Sequence, residues 1–317
     1  MSEKTPIEWT DATWNIITGC DIESPGCRDC YAMKLAGTRL RNHWSRINLT
    51  KMSAAGPVWT GEVRFNEPWL NQPMDWTRSR MIFVCAHGDL FHPGVPFETI
   101  DRIFAVMALC PQHKFQVLTK RTARMAEYFA NPIREALIGQ QVGQLHLQRT
   151  GDPVSQWSGL PMPNVWLGTS VENQRYADVR RAPLAALADA GWLTWASYEP
   201  ALGPVDWSDW EFLRWMVAGG ESGATARPPH PDWFRAARDF CATAEVAFLF
   251  KQWGEWAPVD VVDSDPECAE IFKDDGTEEQ LFGRLTLSRI GGAHVAKLGK
   301  KDAGRLLDGV EHNEFPQ

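Results

Sequence analysis

The sequence lacks several features that would each have fixed a class. No apolar run approaches the roughly 18 residues needed to cross a bilayer. The opening Met-Ser-Glu-Lys-Thr-Pro has no apolar segment of the kind that directs secretion. The expectation is therefore no membrane and a cytoplasmic location. Positive charge is in deficit: 32 lysines and arginines face 40 acids, a formal net charge of −8. Proteins that grip a long duplex by neutralising phosphates are usually basic, although net charge averages over the surface and leaves room for a local basic groove. There is no internal repeat and no low-complexity tract. Cysteines are few and odd in number, seven in all, which argues against a disulfide framework and for a reducing compartment.

What is present is an ordinary globular composition. With 317 residues, 44% hydrophobic and 23% charged, the chain can bury one large or two medium cores. The 16 tryptophans are expected mostly in the core, each burying a large area and needing one partner for its N–H.

Short runs rich in branched and aromatic residues alternate with helical stretches. Strands are expected at Thr13–Thr18, Met81–Cys85, Lys114–Leu118, Asn164–Gly168, Trp192–Ser197, Leu213–Ala218 and Val246–Phe250. Helices are expected at about Tyr31–Trp44, Phe97–Leu109, from Arg121, Gln174–Leu187 and Pro231–Thr243. Strands apolar nearly throughout suit parallel pairing covered on both faces. The alternation predicts an α/β fold, a partial or full parallel (β/α) barrel, with an open doubly wound sheet as its rival. Residues 1–257 would form the barrel, with the cysteine loop at 19–31 and a lid or insertion at 131–163. Residues 258–317 would be a C-terminal appendage, strongly acidic from Asp260 to Glu279 and with a basic cluster, Lys297, Lys300 and Lys301, that reads as a solvated face.

Polar and glycine residues recur where these strands end: Thr18-Gly19-Cys20, His87-Gly88-Asp89, Thr119-Lys120-Arg121, Thr169-Ser170-Val171-Glu172-Asn173, Tyr198-Glu199-Pro200, Gly219-Gly220-Glu221-Ser222 and Lys251-Gln252. Ligands of parallel α/β folds bind at the carboxyl ends of the strands, so one site ringed by these loops is expected. Thr169, Ser170 and Asn173 also suit plain helix capping.

Cys20, Cys27 and Cys30 crowd into the first of these loops. Three thiols so close suit a metal. Structural zinc wants a fourth ligand, for which His43 is the nearest candidate outside zinc-finger spacing. A four-iron cluster on three thiolates leaves one iron open to a small molecule, unlike the four-thiolate clusters of electron carriers. Cys85, Cys110, Cys241 and Cys268 read as core or incidental, and His92, His113 and His230 as turn or surface residues. Cys85 and Tyr198 could return a hydrogen atom to a substrate radical, but read better as core.

Three cysteines in the first βα loop of a barrel resemble the radical S-adenosylmethionine (SAM) superfamily. More closely, the chain resembles a phage- and bacteria-associated family of three-cysteine proteins, through "GCDIESPGCRDCYA" at 19–32, "DLFHP" at 89–93, "LTKR" at 118–121, "LGTSVENQ" at 167–174, "EPALGPV" at 199–205, "GGESG" at 219–223, "KQWG" at 251–254 and "GRLLDG" at 304–309. The spacing departs from the common C-x3-C-x2-C: the first gap is six, and the aromatic, Tyr31, follows Cys30 where it ordinarily precedes the last cysteine. His87-Gly88-Asp89 stands where a glycine-rich motif ordinarily holds the methionyl amine.

The resemblance implies a [4Fe–4S] cluster on Cys20, Cys27 and Cys30, and SAM near Ser170, Glu172, Asp89 and Tyr31. Lys120, Glu199, Glu221 and Lys251, with Ser222 and Gln252, would face a polar substrate, a nucleoside or nucleic acid among the candidates. Two lysines opposite two glutamates equally suit a structural ion-pair network. A flavodoxin or ferredoxin would supply electrons. The competing readings are a barrel whose iron–sulfur or zinc site is structural and serves assembly, and a metal-dependent hydrolase, which lacks the recurrent Asp/His ligand pairs such sites need.

Overall fold

The computed structural model describes residues 5–153, 157–259, 280–282 and 285–317. Seven strands form one sheet: β1 (Ala12–Trp14), β2 (Met81–Val84), β3 (Lys114–Thr119), β4 (Val165–Ser170), β5 (Leu193–Tyr198), β6 (Trp215–Gly219) and β7 (Ala247–Gln252). Their order in the sheet is their order in the chain, with β1 and β7 at its two ends. The registered pairs β1–β2, β2–β3, β3–β4 and β6–β7 are parallel. This is the topology of a partial (β/α) barrel, the open form of the two that the alternation allowed. Every residue of β4 and β6 is buried, as expected of parallel strands covered on both faces. Chain contacts divide the protein into two compact units, residues 1–170 with 179–195, and residues 171–178 with 196–317.

In the first unit the cysteine loop is followed by α1 (Tyr31–Gly37), which ends seven residues earlier than the pattern suggested. Residues from Thr38 to Asn48 instead form a chain of turns. A two-stranded hairpin, Thr50–Ser53 with Gly56–Trp59, packs against α1. The strand expected at Thr13–Thr18 is broken in two. Ile17–Thr18 leaves the sheet and pairs antiparallel with Arg64–Phe65. Helices α2 (Phe97–Ala108) and α3 (Thr122–Ala130) fall where expected.

The stretch 131–163 is largely a helix, α4 (Ile133–Thr150). Its buried Arg134, Ile138, Val142 and Leu145 recur at helical spacing, and it packs on α2. Arg134 donates to Asp101 at 3.0 Å, and the Tyr128 hydroxyl donates to the same carboxylate at 2.6 Å, so one buried polar triad ties α2, α3 and α4.

In the second unit α6 runs from Pro231 to Thr243, capped by His230, whose Nδ1 accepts the Asp232 N–H at 3.0 Å. (α5 spans Gln174–Asp189, residues 174–178 counted with the second unit and 179–189 with the first.) The C-terminal part contributes a separate antiparallel sheet. Its central hairpin, Leu285–Ile290 with Ala293–Lys297, turns on Gly291 and Gly292, both at positive φ as a two-residue hairpin turn requires. The acidic stretch 260–279, and Cys268 within it, lie outside the described residues. Lys300 and Lys301 are exposed, as expected of a solvated face, while Lys297 donates to the Ala224 carbonyl. Twelve of the 16 tryptophans are buried, so the indoles are chiefly core. Several of their N–H groups are met by backbone carbonyls, as in Trp14 to Trp69 at 2.7 Å and Trp256 to Ala226 at 2.8 Å.

Candidate functional site

The cysteine loop leaves the sheet through a pair of glycines. Gly19 bridges Gly88 in parallel, and its N–H donates to the His87 carbonyl at 3.1 Å. Gly19 has φ +92°, and a Cβ there would stand 2.2 Å from the Glu62 carbonyl oxygen; one on Gly88 would stand 2.7 Å from that of Ile17. Only glycines allow this approach. Beyond it the loop closes on itself. Cys27 ends a short turn from Pro25, its N–H donating to Ser24, and the Cys30 N–H donates to Cys27 at 3.3 Å. Cys30 then caps α1.

Two cations from the end of β3 reach these sulfurs. The Lys120 ammonium donates to Ser24 Oγ at 2.9 Å and lies 3.4 Å from Cys27 Sγ. Arg121 Nη1 lies 3.7 Å from Cys20 Sγ. Its guanidinium is fixed by Asp89 at 2.8 Å, by Asp21 and, at 3.5 Å, by Glu23. Asp89 is buried and acts as the hub: it accepts from Thr119 Oγ1 at 2.7 Å, from the N–H groups of Phe91 and Lys120, and from Arg121. Both carboxylate oxygens named for SAM are therefore engaged by protein donors.

Burial, reinforced by the Asp89 charge, pushes the Cys20 thiol up to about 12, and burial raises Cys30 as well. Bare, these thiols are protonated and inert; a cationic centre reverses that preference. None of Cys20, Cys27 and Cys30 is in a disulfide. Three free soft donors within one loop, with ammonium and guanidinium groups aimed at two of the sulfurs, fit a thiolate-ligated group of net negative charge. Among the described residues no three His, Cys, Asp or Glu side chains converge on a single ion. A cluster makes a different demand, since each thiolate binds its own iron.

The neighbours of the loop are also placed. Tyr31 is half exposed; its hydroxyl donates to the Ala86 carbonyl at 2.6 Å, and its ring meets His87 edge-on at 5.7 Å. Burial and the adjacent Arg46 hold His87 down at about 4, so the imidazole is neutral and its Nδ1 accepts from Arg46 at 2.9 Å. Ser170 is buried, and its carbonyl accepts from Arg180 at 2.8 Å. His43 Nδ1 lies 2.7 Å from Ser45 Oγ. His92 and His113 lie in turns, as expected, and are buried there: His92 Nδ1 accepts the Gly94 N–H, and His113 lies 3.0 Å from the Pro73 carbonyl. Cys85, Cys110 and Cys241 are core residues.

The second unit has its own polar group. Lys251 pairs with Glu199 at 2.5 Å, and Gln252 donates to Ser222 at 2.8 Å. Glu221 is bound by Arg227 through side chain and backbone. Glu172 is fully buried, its carbonyl accepting from Leu202. The Tyr198 hydroxyl donates to Gly203 in the core. The glycines of "GGESG" and "KQWG" serve a close crossing: a Cβ on Gly220 would stand 1.9 Å from the Trp253 oxygen, and one on Gly254 2.2 Å from that of Glu221.

A family profile described as protein of unknown function (DUF5131) matches residues 4–316. The chain belongs to that family. No curated protein matches it. Among solved structures, a cysteine-to-alanine mutant of spore photoproduct lyase aligns at 10% identity and a TM-score of 0.41, covering 92% of this chain and 69% of that one. The same enzyme complexed with dinucleoside spore photoproduct aligns at 12% identity and a TM-score of 0.35, covering 66% of this chain. The alignment spans 55% of that protein's length.

Sequence reasoning missed Arg121, Arg46 and Arg227. Arg121 was in view beside Lys120 at a strand end. Arg46 gave no signal, because its partner His87 lies 41 residues away.

Proposed function

We propose that the protein is a radical SAM enzyme whose [4Fe–4S] cluster is held by Cys20, Cys27 and Cys30. The observation that carries the reading is the loop itself: three free thiols following β1 of a parallel barrel, with Lys120 and Arg121 on two of the sulfurs. When bound and reduced, such a cluster supplies the electron that cleaves SAM to methionine and a 5′-deoxyadenosyl radical.

The chain's own residues do the rest. Asp89 fixes Arg121, and Arg121 and Lys120 offset the negative charge of three thiolates. Hydrogen bonds and charge at cluster sulfurs raise the reduction potential, so the same two cations ease electron entry. Ser170 and Glu172, at the end of the fourth strand, and the exposed ring of Tyr31 are assigned to SAM. Glu199, Glu221, Lys251, Ser222 and Gln252 are assigned to a polar substrate. A flavodoxin or ferredoxin in the cytoplasm is the reductant, and the likeness to phage-associated three-cysteine proteins belongs to the same reading.

Replacing Cys20, Cys27 and Cys30 together by Ala should abolish iron and sulfide in anaerobically purified protein. Retention of near-stoichiometric iron by that variant, or zinc in place of iron in the parent, would overturn the proposal.

A further inference from the structure

Between Tyr31 and Arg64 the chain carries six lysines and arginines and one acid, Glu62, in a protein of formal net charge −8. Three of the six, Arg39, Arg41 and Lys51, are exposed, and among the described residues their side chains meet no hydrogen-bond or ion-pair partner. Arg102, Arg149 and Arg235, by contrast, each end on a carboxylate, while Arg78 and Arg214 stand singly elsewhere on the surface. Buried Arg46 adds to the same field, since it donates to Ser45 and His87 and to no carboxylate.

Aromatic rings stand among these cations. Trp44 is 46% exposed, yet its indole is held against Trp69 at 4.8 Å and His43 at 5.7 Å, and its carbonyl accepts from Arg64. Tyr31 is 50% exposed at the head of the same segment. A fixed, solvent-facing indole in the same short segment as exposed cations is the combination by which proteins take single strands: phosphates are neutralised and a base stacks on the ring. The acidic remainder of the molecule disfavours the long footprint of a duplex reader.

We propose that the excursion from Tyr31 to Arg64 binds a single-stranded polynucleotide, its phosphates met by Arg39, Arg41 and Lys51 and a base stacked on Trp44. Naming that strand as the substrate rests on the radical SAM reading; the binding does not.

The test is fluorescence anisotropy with the full-length protein. The probes are labelled single-stranded DNA and RNA of about a dozen nucleotides, a duplex of equal length, and anionic phosphatidylglycerol vesicles. Single strands should bind best, with log K falling against log salt at a slope of about −2, three cations at about 0.7 each. The Arg39→Gln/Arg41→Gln variant should bring the slope below about −1 in magnitude and weaken binding at least tenfold at low salt. Trp44→Ala should weaken binding roughly five- to a hundredfold with the slope kept. Since Trp44 touches Trp69, the arginine variant decides if the tryptophan variant does not fold. Unchanged affinity in the arginine variant, stronger binding of duplex or vesicles, or no binding of either strand would overturn the proposal. Iron and sulfide are assayed on the same preparation. Strand binding without a four-iron cluster keeps this surface and refutes the radical reading; a cluster without strand binding does the reverse.

Discussion

Lys120 and Lys251 are the same residue type at the carboxyl ends of two strands, in different units, and they are held in opposite ways. Lys251 ends on the Glu199 carboxylate at 2.5 Å, a pair already neutral within the protein. Lys120 donates to the Ser24 hydroxyl and lies 3.4 Å from the Cys27 sulfur. Arg121 and Arg227 repeat the contrast in part. Arg227 is bound to Glu221, whereas Arg121 divides its donors between Asp89, Asp21, Glu23 and a cysteine sulfur. What sets the cysteine side apart is that both of its cations also reach a sulfur, a contact that gains strength once the thiol becomes a thiolate.

The largest expected effect is at the hub of the cysteine side. Asp89→Asn leaves Arg121 buried with one strong partner fewer, both side chains being 7% exposed, and should cost about 3 kcal/mol in urea unfolding. A loss under about 1 kcal/mol would mean that Asp89 does not hold Arg121.

The pH dependence is next. His87 is held at about 4, chiefly by burial, so between pH 4 and 6.5 the unfolded chain binds a proton that the folded one does not. Stability is complete above pH 6.5 and falls as pH drops towards 4, by on the order of 3 kcal/mol. His87→Gln should flatten that limb in acid unfolding curves; an unchanged slope would place the acid sensitivity elsewhere.

Smaller effects sharpen the contrast between the lysines. Lys251→Met should cost about 1 kcal/mol, recovered in part by adding Glu199→Gln. Lys120→Met should leave stability nearly unchanged but lower the cluster's reduction constant about tenfold, roughly 59 mV for one electron. Equal stability losses for the two would erase the distinction.

The smallest effect is at Asp308, held down at about 2 by hydrogen bonds from Arg235 and Arg238. These groups are open enough to solvent that screening leaves under about 1 kcal/mol. Asp308→Asn should remove that increment at neutral pH, and the difference should vanish as pH falls from 3.8 through about 2.

The strand series and most helices were legible because β4 and β6 are apolar end to end and α2 and α6 keep a helical stripe. The break after Trp14 was not, since Ile17–Thr18 is as apolar as a strand that stays in the sheet. The helix end at Gly37 was hidden because the basic turns that follow contain no proline or further glycine before Trp44. At the site, the three cysteines announced themselves by spacing. The Asp89–Arg121 hub did not, because its partners are 32 residues apart and their pairing depends on the parallel neighbours β2 and β3.

The most direct measurement is anaerobic turnover: the protein reduced with dithionite, given SAM, and assayed for 5′-deoxyadenosine. The account predicts about four irons per chain and 5′-deoxyadenosine released with methionine, lost in the Cys20→Ala/Cys27→Ala/Cys30→Ala variant. A fully loaded cluster that leaves SAM intact, or stoichiometric zinc in its place, would contradict it.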